Sequence, residues 1–321
     1  MGSGRIGRRF ARASAALLVA VAVLAGCQGG DGGVPEGRSP FTGERVEDPA
    51  APVLVVKVDN VPAARPPTGL ERADIVYVEQ VEAGLTRLLA VYSSDLPPSV
   101  GPVRSARESD IELLRQFGEP ALAYSGVQSR LIPVLEDSPL HLLPPGAAPD
   151  AYSRGTDRPA PHNLYVAPKA ALDAAPDGVS GADDIGFRFG AAPEGGRADA
   201  EETVRFPNAT VSFAWSGRED RWLVSMDGRA ATTSDGDRLG APTVVVQHVT
   251  IRDSRFRDSG GNVTPYSETV GSGEATVLRD GRAYEARWSR PAPEGDTEFT
   301  TPDGGRMAFA EGQVWVVLAP R

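Results

Sequence analysis

The stretch from Val53 to Arg107 constrains the fold more than any other. Its segments VLVVKVDN, RPPTGLERADIVYVEQVEAGLTRLLAVY and GPVRSARE set three apolar, strand-like runs around Lys57, Asp59, Asn60, Glu79, Glu82, Arg87, Arg104 and Arg107. A charge placed near a core is costly unless it is paired or used, so these side chains mark the place to look for a site. Val53–Asp59 is almost continuously apolar, as expected of a strand covered on both faces. Alternation puts Lys57 and Asp59 on one face and Leu54, Val56 and Val58 on the other. Asp59 and Asn60 then fall at the strand's carboxyl end, where open α/β sheets place their ligands. Ile75–Val81 and Thr86–Tyr92 read as antiparallel strands joined by a tight turn at Glu82-Ala83-Gly84-Leu85, with Arg87 opposite Glu79 or Gln80.

Downstream, Ser105 followed by Glu108 has the form of a capping box. It predicts a helix carrying Ile111, Leu114 and Phe117 that stops at Gly118. Arg104 would then lie just outside the helix and Arg107 in its first turn, the wrong sign for the helix dipole. An anion among them resolves the conflict: either a ligand, or Asp59, Glu79 or Glu82 from the neighbouring strands. Ala121–Ser125 reads as a buried strand leading through Gly126 into a helix ending near Glu136. Ser125 has the position of a hydrolase nucleophile, but Ala-Tyr-Ser-Gly-Val lacks the G-x-S-x-G context. The Pro/Gly-rich loop Ser138–Ala160 is long enough to be a lid or site wall. It enters a strand at Pro161–Val166, where His162 and Asn163 become site candidates, and a helix follows at Lys169–Ala175.

A chain of 321 residues suggests two domains. The acidic, Gly/Pro-rich stretch over 176–202 is the expected boundary. Beyond Thr203 the pattern is β, at Ala209–Trp215, Arg221–Met226, Pro242–Ile251, Ala275–Leu278, Arg282–Trp288, Arg306–Phe309 and Gln313–Leu318. Asp-Gly steps at 227–228, 280–281 and 303–304 signal hairpin turns. The expected fold class is an α+β or α/β N-terminal domain with a mixed sheet over 53–200, then an all-β C-terminal domain, a sandwich or barrel, over 201–321. Trp215, Trp222, Trp288 and Trp315 read as packing residues of that half.

Residues 1–27 read as a lipoprotein signal peptide: a basic start with Arg5, Arg8, Arg9 and Arg12, an apolar run at Ala15–Leu24, and Leu24-Ala25-Gly26-Cys27, a bacterial lipobox. Cys27 is the chain's only cysteine. As the acceptor of a diacylglyceryl group it gives two-chain membrane attachment and leaves no thiol for a disulfide. Gln28–Pro52 reads as a flexible tether reaching roughly 25–30 Å. Loss of the signal removes four arginines and no acid and moves the formal net charge from −10 to −14. That argues against nucleic acid or an anionic lipid surface as the main partner.

The run KVDN…ARPPTGLERADIVYVEQVEAGLTRLLAVY…GPVRSARESD, followed by APHNLY, resembles the YerB-like bacterial lipoproteins, a family built on a domain of unknown function. The resemblance covers the chain beyond the tether. It extends to a separate C-terminal β domain through Val244–Gln247, Gly271-Ser272-Gly273 and Val314-Trp315-Val316. It implies an address at the extracytoplasmic face of the cell membrane and an architecture, but no reaction.

Three functions fit the residues. In the first, an envelope lipoprotein binds an anionic ligand, a phosphate- or carboxylate-bearing glycan or peptide. Arg87, Arg104, Arg107 and Ser105 take the anion, and Asn60 and Asn163 join Asp59, Glu82 and His162 on sugar or amide groups. In the second, the same site is a hydrolase or transferase of envelope polymers, with Asp59 or Glu82 as general base and His162 as proton shuttle. In the third, the charges are internal salt bridges of a scaffold. No cofactor is implied, and no cluster has metal-ligand spacing.

Overall fold

The computed structural model describes residues 1–4, 33–258 and 260–321. Cys27, the rest of the expected signal segment beyond residue 4, and the tether up to residue 32 lie outside the described residues. Gly33–Arg321 forms one compact unit. In its first half the strands are β1 (Leu54–Asp59), β2 (Ile75–Gln80), β3 (Thr86–Tyr92), β4 (Ala121–Ala123), β5 (His141–Leu143), β6 (Tyr152–Arg154) and β7 (Leu164–Val166). Three short helices accompany them: α1 (Glu108–Leu114), α2 (Ile132–Glu136) and α3 (Pro168–Asp173). The second half holds β8 (Arg197–Ala198), β9 (Glu201–Phe206), β10 (Ala209–Ser216), β11 (Arg221–Met226), β12 (Arg229–Ala230), β13 (Gly240–Ala241) and β14 (Thr243–Val249). It continues with β15 (Ile251–Arg257), β16 (Val263–Ser267), β17 (Gly271–Arg279), β18 (Arg282–Arg290), β19 (Glu298–Thr300) and β20 (Val314–Pro320).

The mixed N-terminal sheet and the strand-rich second half are both present, and they share one sheet. Its order is β19-β18-β17-β14-β20-β2-β3-β1-β4-β5, with β8 also on β18. The last strand is the seam. Val314 pairs in parallel with Ile75 of β2 on one side and with Thr243 of β14 on the other. Such a strand needs both faces apolar, and Val314, Trp315, Val316, Val317 and Leu318 are all buried.

Alternation along these strands divides two cores. On one face Val56, Val78, Ala90, Val244, Trp315 and Val317 pack against Val211, Phe213, Trp222 and Val224 of a second sheet, β12-β11-β10-β9. This is a sandwich layering to which strands of both halves contribute. On the other face Val55, Ile75, Tyr77, Leu89, Val91 and Val316 pack against Phe41, Leu113, Leu114, Phe117 and Phe187. Asp-Gly turns form where expected at 227–228 and 280–281, with both residues at positive φ.

Three local expectations are corrected. The tether is shorter than Gln28–Pro52, because Phe41 is buried edge-on against Phe117 at 5.4 Å and Ser39 and Thr42 are buried beside it. The helix expected from Gly126 shrinks to α2: a turn in which Leu131 N donates to Gln128 takes the preceding residues, and Pro133 stands at the helix start. Finally, α1 begins at Glu108. Its N-cap is Arg107, whose backbone N–H donates to Asp110 Oδ2 at 2.8 Å, so the reciprocal carboxylate comes from Asp110 and not from Ser105 with Glu108.

Candidate functional site

The face of the sheet under α1 changes character along its strands. Val53 and Val55 give way to Lys57 and then Asp59 on β1, Ile75 and Tyr77 to Glu79 on β2, and β3 starts with Arg87 before Leu89 and Val91. The register sets Arg87 between Asp59 on one side and Glu79 on the other. Apolar packing thus passes into a layer of charge at the carboxyl ends of β1 and β2.

The inner layer is closed. Lys57 Nζ, wholly buried, donates to Glu79 and, at 2.7 Å, to Asp110 Oδ1 of α1. One cation serves two carboxylates, and no water reaches them. Burial, followed by the Asp110 charge, pushes Glu79 up to about 7 against the pull of Lys57.

The outer layer opens onto a pocket of about 580 Å³. Arg87, Arg104, Ser105, Arg107 and Glu82 line it, together with apolar Val61, Val81, Leu85, Val127, Leu131 and Phe256. Two of the three guanidiniums are paired. Arg107 Nη2 donates to Glu82 Oε2 at 2.7 Å with Nε 2.7 Å from Oε1, and Arg104 Nε lies 3.1 Å from Asp59 Oδ2. Glu82 also accepts from Thr264 Oγ1 at 2.7 Å. Burial opposes its ionisation, but Arg107 and Thr264 outweigh that and hold Glu82 below its usual range. A carboxylate so held is a poor proton acceptor, which weakens Glu82 as a general base.

Arg87 differs. It is 8% exposed, donates only to the Ser105 carbonyl at 3.3 Å, and has no carboxylate within ion-pair distance among the described residues. Its Nε is buried without a hydrogen-bond partner, as are those of Arg104 and Arg107, but only theirs lie within ion-pair distance of a carboxylate. Burial and the Arg107 charge bring it down to about 10, with Asp59 and Glu82 opposing. It remains a cation at neutral pH, buried at the wall of an open pocket.

The other sequence candidates divide. Asp59 Oδ2 is shared between Arg104 and His162 Nδ1, the latter at 2.9 Å. His162 stands behind Arg104 and does not line the pocket. Asn60 is taken up by the fold, its Nδ2 donating to Thr86 and its Oδ1 accepting from Arg65. Asn163 likewise bonds Arg154 and the Gly155 carbonyl. Both leave the list of ligand contacts because their amides are already satisfied. No group of three or more His, Cys, Asp or Glu side chains placed to hold a metal occurs among the described residues.

The sequence missed one wall. The hairpin β15–β16 brings Phe256, Asp258 and Thr264 to the pocket from the second half of the chain. Carboxylates of α1 fasten it there: Glu108 accepts from Ser254, and Glu112 from Tyr266 Oη at 2.8 Å and Thr269 N at 2.8 Å. The one available signal was the pair of alternating runs around 251–257 and 263–267, which the longer apolar run before them obscured.

Residues 41–180 match the family model described as the N-terminal domain of a protein of unknown function (DUF3048), and residues 202–316 match its C-terminal domain. The chain is 27% identical to the Bacillus subtilis (strain 168) protein named "Putative lipoprotein YerB", over 95% of this chain and 94% of that protein. The crystal structure of YerB from Bacillus subtilis superposes with a TM-score of 0.75 at 22% identity, covering 88% of this chain and 97% of that one. The likeness to that structure is one of fold.

Proposed function

The chain belongs to the DUF3048 family, and we propose that it is a lipoprotein, anchored at Cys27 to the extracytoplasmic face of the bacterial membrane, that binds an anionic ligand of the envelope in the arginine pocket. The observation that carries the binding reading is Arg87: a buried guanidinium, unpaired with any carboxylate among the described residues, set between two paired ones on an open pocket. An ion in that position is destabilising by itself and is offset when an anion arrives. A phosphate or carboxylate suits the planar donor fork of arginine. Calorimetric titration of residues 33–321 with inorganic phosphate tests this. Binding that Arg87→Met abolishes is expected, and no binding by the wild-type chain would remove the reading.

The anchor rests on the lipobox ending in the sole cysteine and on the name of the Bacillus relative. Cys27→Ala should leave the protein unprocessed or shed from membranes with its fold intact. Equal partition of wild type and variant on fractionation would contradict it.

A second reading, an envelope-polymer hydrolase or transferase, draws on Asp59 and His162. With Nδ1–H donated to Asp59 Oδ2, a neutral His162 keeps its basic lone pair on Nε2. No hydroxyl is hydrogen-bonded to that ring among the described residues, so the binding reading takes precedence.

A further inference from the structure

The polar groups around the pocket are mostly committed. Glu82 is held by Arg107 and Thr264, Asp258 accepts from Asn262 N and Nδ2, and Gln128 Oε1 accepts from Leu131 N. The Ser105 and Ser129 hydroxyls make no side-chain hydrogen bond among the described residues, and beside them the free surface holds the Arg87 guanidinium and an apolar wall. Within that wall Val61, Leu85 and Val127 are only half-buried although they face the pocket. A cation beside half-buried apolar side chains on one open pocket is complementary to a molecule with a charged head and an apolar tail.

Building on the anion-binding reading, we propose that the pocket takes an anionic amphiphile. A phosphate or carboxylate head meets Arg87 beside Arg104, and an alkyl or isoprenyl chain lies against Val61, Leu85 and Val127. The head supplies the counter-charge that Arg87 lacks, and the tail removes those three side chains from water. Each methylene buried against them strengthens binding, and two of them give about tenfold. The pocket volume of about 580 Å³ is enough for the head and the first part of a chain.

The test uses residues 33–321, the compact unit that contains both cores, and four probes: octyl phosphate below its micelle concentration, inorganic phosphate, octyl glucoside, and phosphatidylglycerol vesicles. Octyl phosphate should bind at least about tenfold tighter than inorganic phosphate, and octyl glucoside not measurably. Arg87→Met should abolish binding of both phosphates. The double variant Val61→Ser, Val127→Ser should reduce octyl phosphate to the affinity of inorganic phosphate and leave the latter unchanged. Equal affinity of the two phosphates for the wild type would overturn the amphiphile proposal while leaving the anion site standing. Binding of neither would overturn both. Binding to vesicles alone, without monomeric octyl phosphate, would also overturn it, since that is adsorption of the surface to charged lipid.

Discussion

Two clusters of charge lie one step apart on the same face of one sheet, and they are built on opposite terms. Lys57, Glu79 and Asp110 are wholly buried and closed on each other. Arg87, Arg104 and Arg107 border a pocket, and only two of the three have a carboxylate. In the first, an excess of acid is enclosed, and burial together with the Asp110 charge raises the Glu79 pKa. In the second, an excess of base is left facing a space. Buried charge therefore has two settings in this fold: one cluster fastens α1 to the strands, and the other borders an open pocket.

The largest expected effect breaks the closed cluster. Lys57→Met leaves two buried carboxylates facing each other and should destabilise the protein by about 3–5 kcal/mol in urea denaturation. Added phosphate should not restore it. Adding Glu79→Leu to Lys57→Met removes one of the two facing acids and should recover part of the loss, while Asp110 stays stranded. Arg107→Ala comes next. It strands Glu82, and because pocket water reaches that carboxylate the loss should be about 2–3 kcal/mol. Most of it should return in the double variant with Glu82→Gln. A loss as large as that of Lys57→Met would mean that the pocket is closed to water.

The third effect is a dependence on pH. The folded-state pKa of Glu79, about 7, lies above the ordinary glutamate value. Its stabilising contribution is therefore complete below about pH 4.3 and is lost as pH rises through 7. Asp74, raised by burial to about 6 against hydrogen bonds from Ser93 and Ser94, acts with the same sign, so the comparison must be made between variants. Glu79→Gln should reduce the fall in stability between pH 5 and 7 by on the order of 1–2 kcal/mol. An unchanged slope would show that Glu79 is not the protonated member of its cluster.

The strands of the charged region were legible because their signal is local. Period-two alternation placed Lys57 with Asp59, and a tight turn set Arg87 opposite Glu79 or Gln80, of which the register takes Glu79. The start of α1 was misread because Ser105…Glu108 and Arg107…Asp110 overlap, and a three-residue spacing cannot choose between them. The seam formed by β20 was hidden for a different reason. Parallel pairing joins residues as distant in sequence as Ile75 and Val314, and Val314–Leu318 has the same apolar character as any buried strand. The hairpin wall was invisible likewise, since Phe256 and Thr264 become site residues only when Glu108 and Glu112 dock their hairpin. Asn60 and Asn163 looked like ligand contacts from their neighbours in sequence. Their amides turn inward because Thr86, Arg65, Arg154 and Gly155 satisfy them.

The smallest effect on stability is the most informative one. Thermal unfolding of wild type and Arg87→Met, in phosphate and in chloride at equal ionic strength, addresses the open cluster directly. Without phosphate the two proteins should unfold within about 0.5 kcal/mol of each other, because the substitution removes an unpaired cation and keeps its apolar stem. With phosphate at about a hundred times its dissociation constant, the wild type alone should gain about 2.7 kcal/mol. The contradicting result is an Arg87→Met protein several kcal/mol less stable in chloride, beside a wild type that phosphate does not stabilise. Arg87 would then be one more internal tie of the fold.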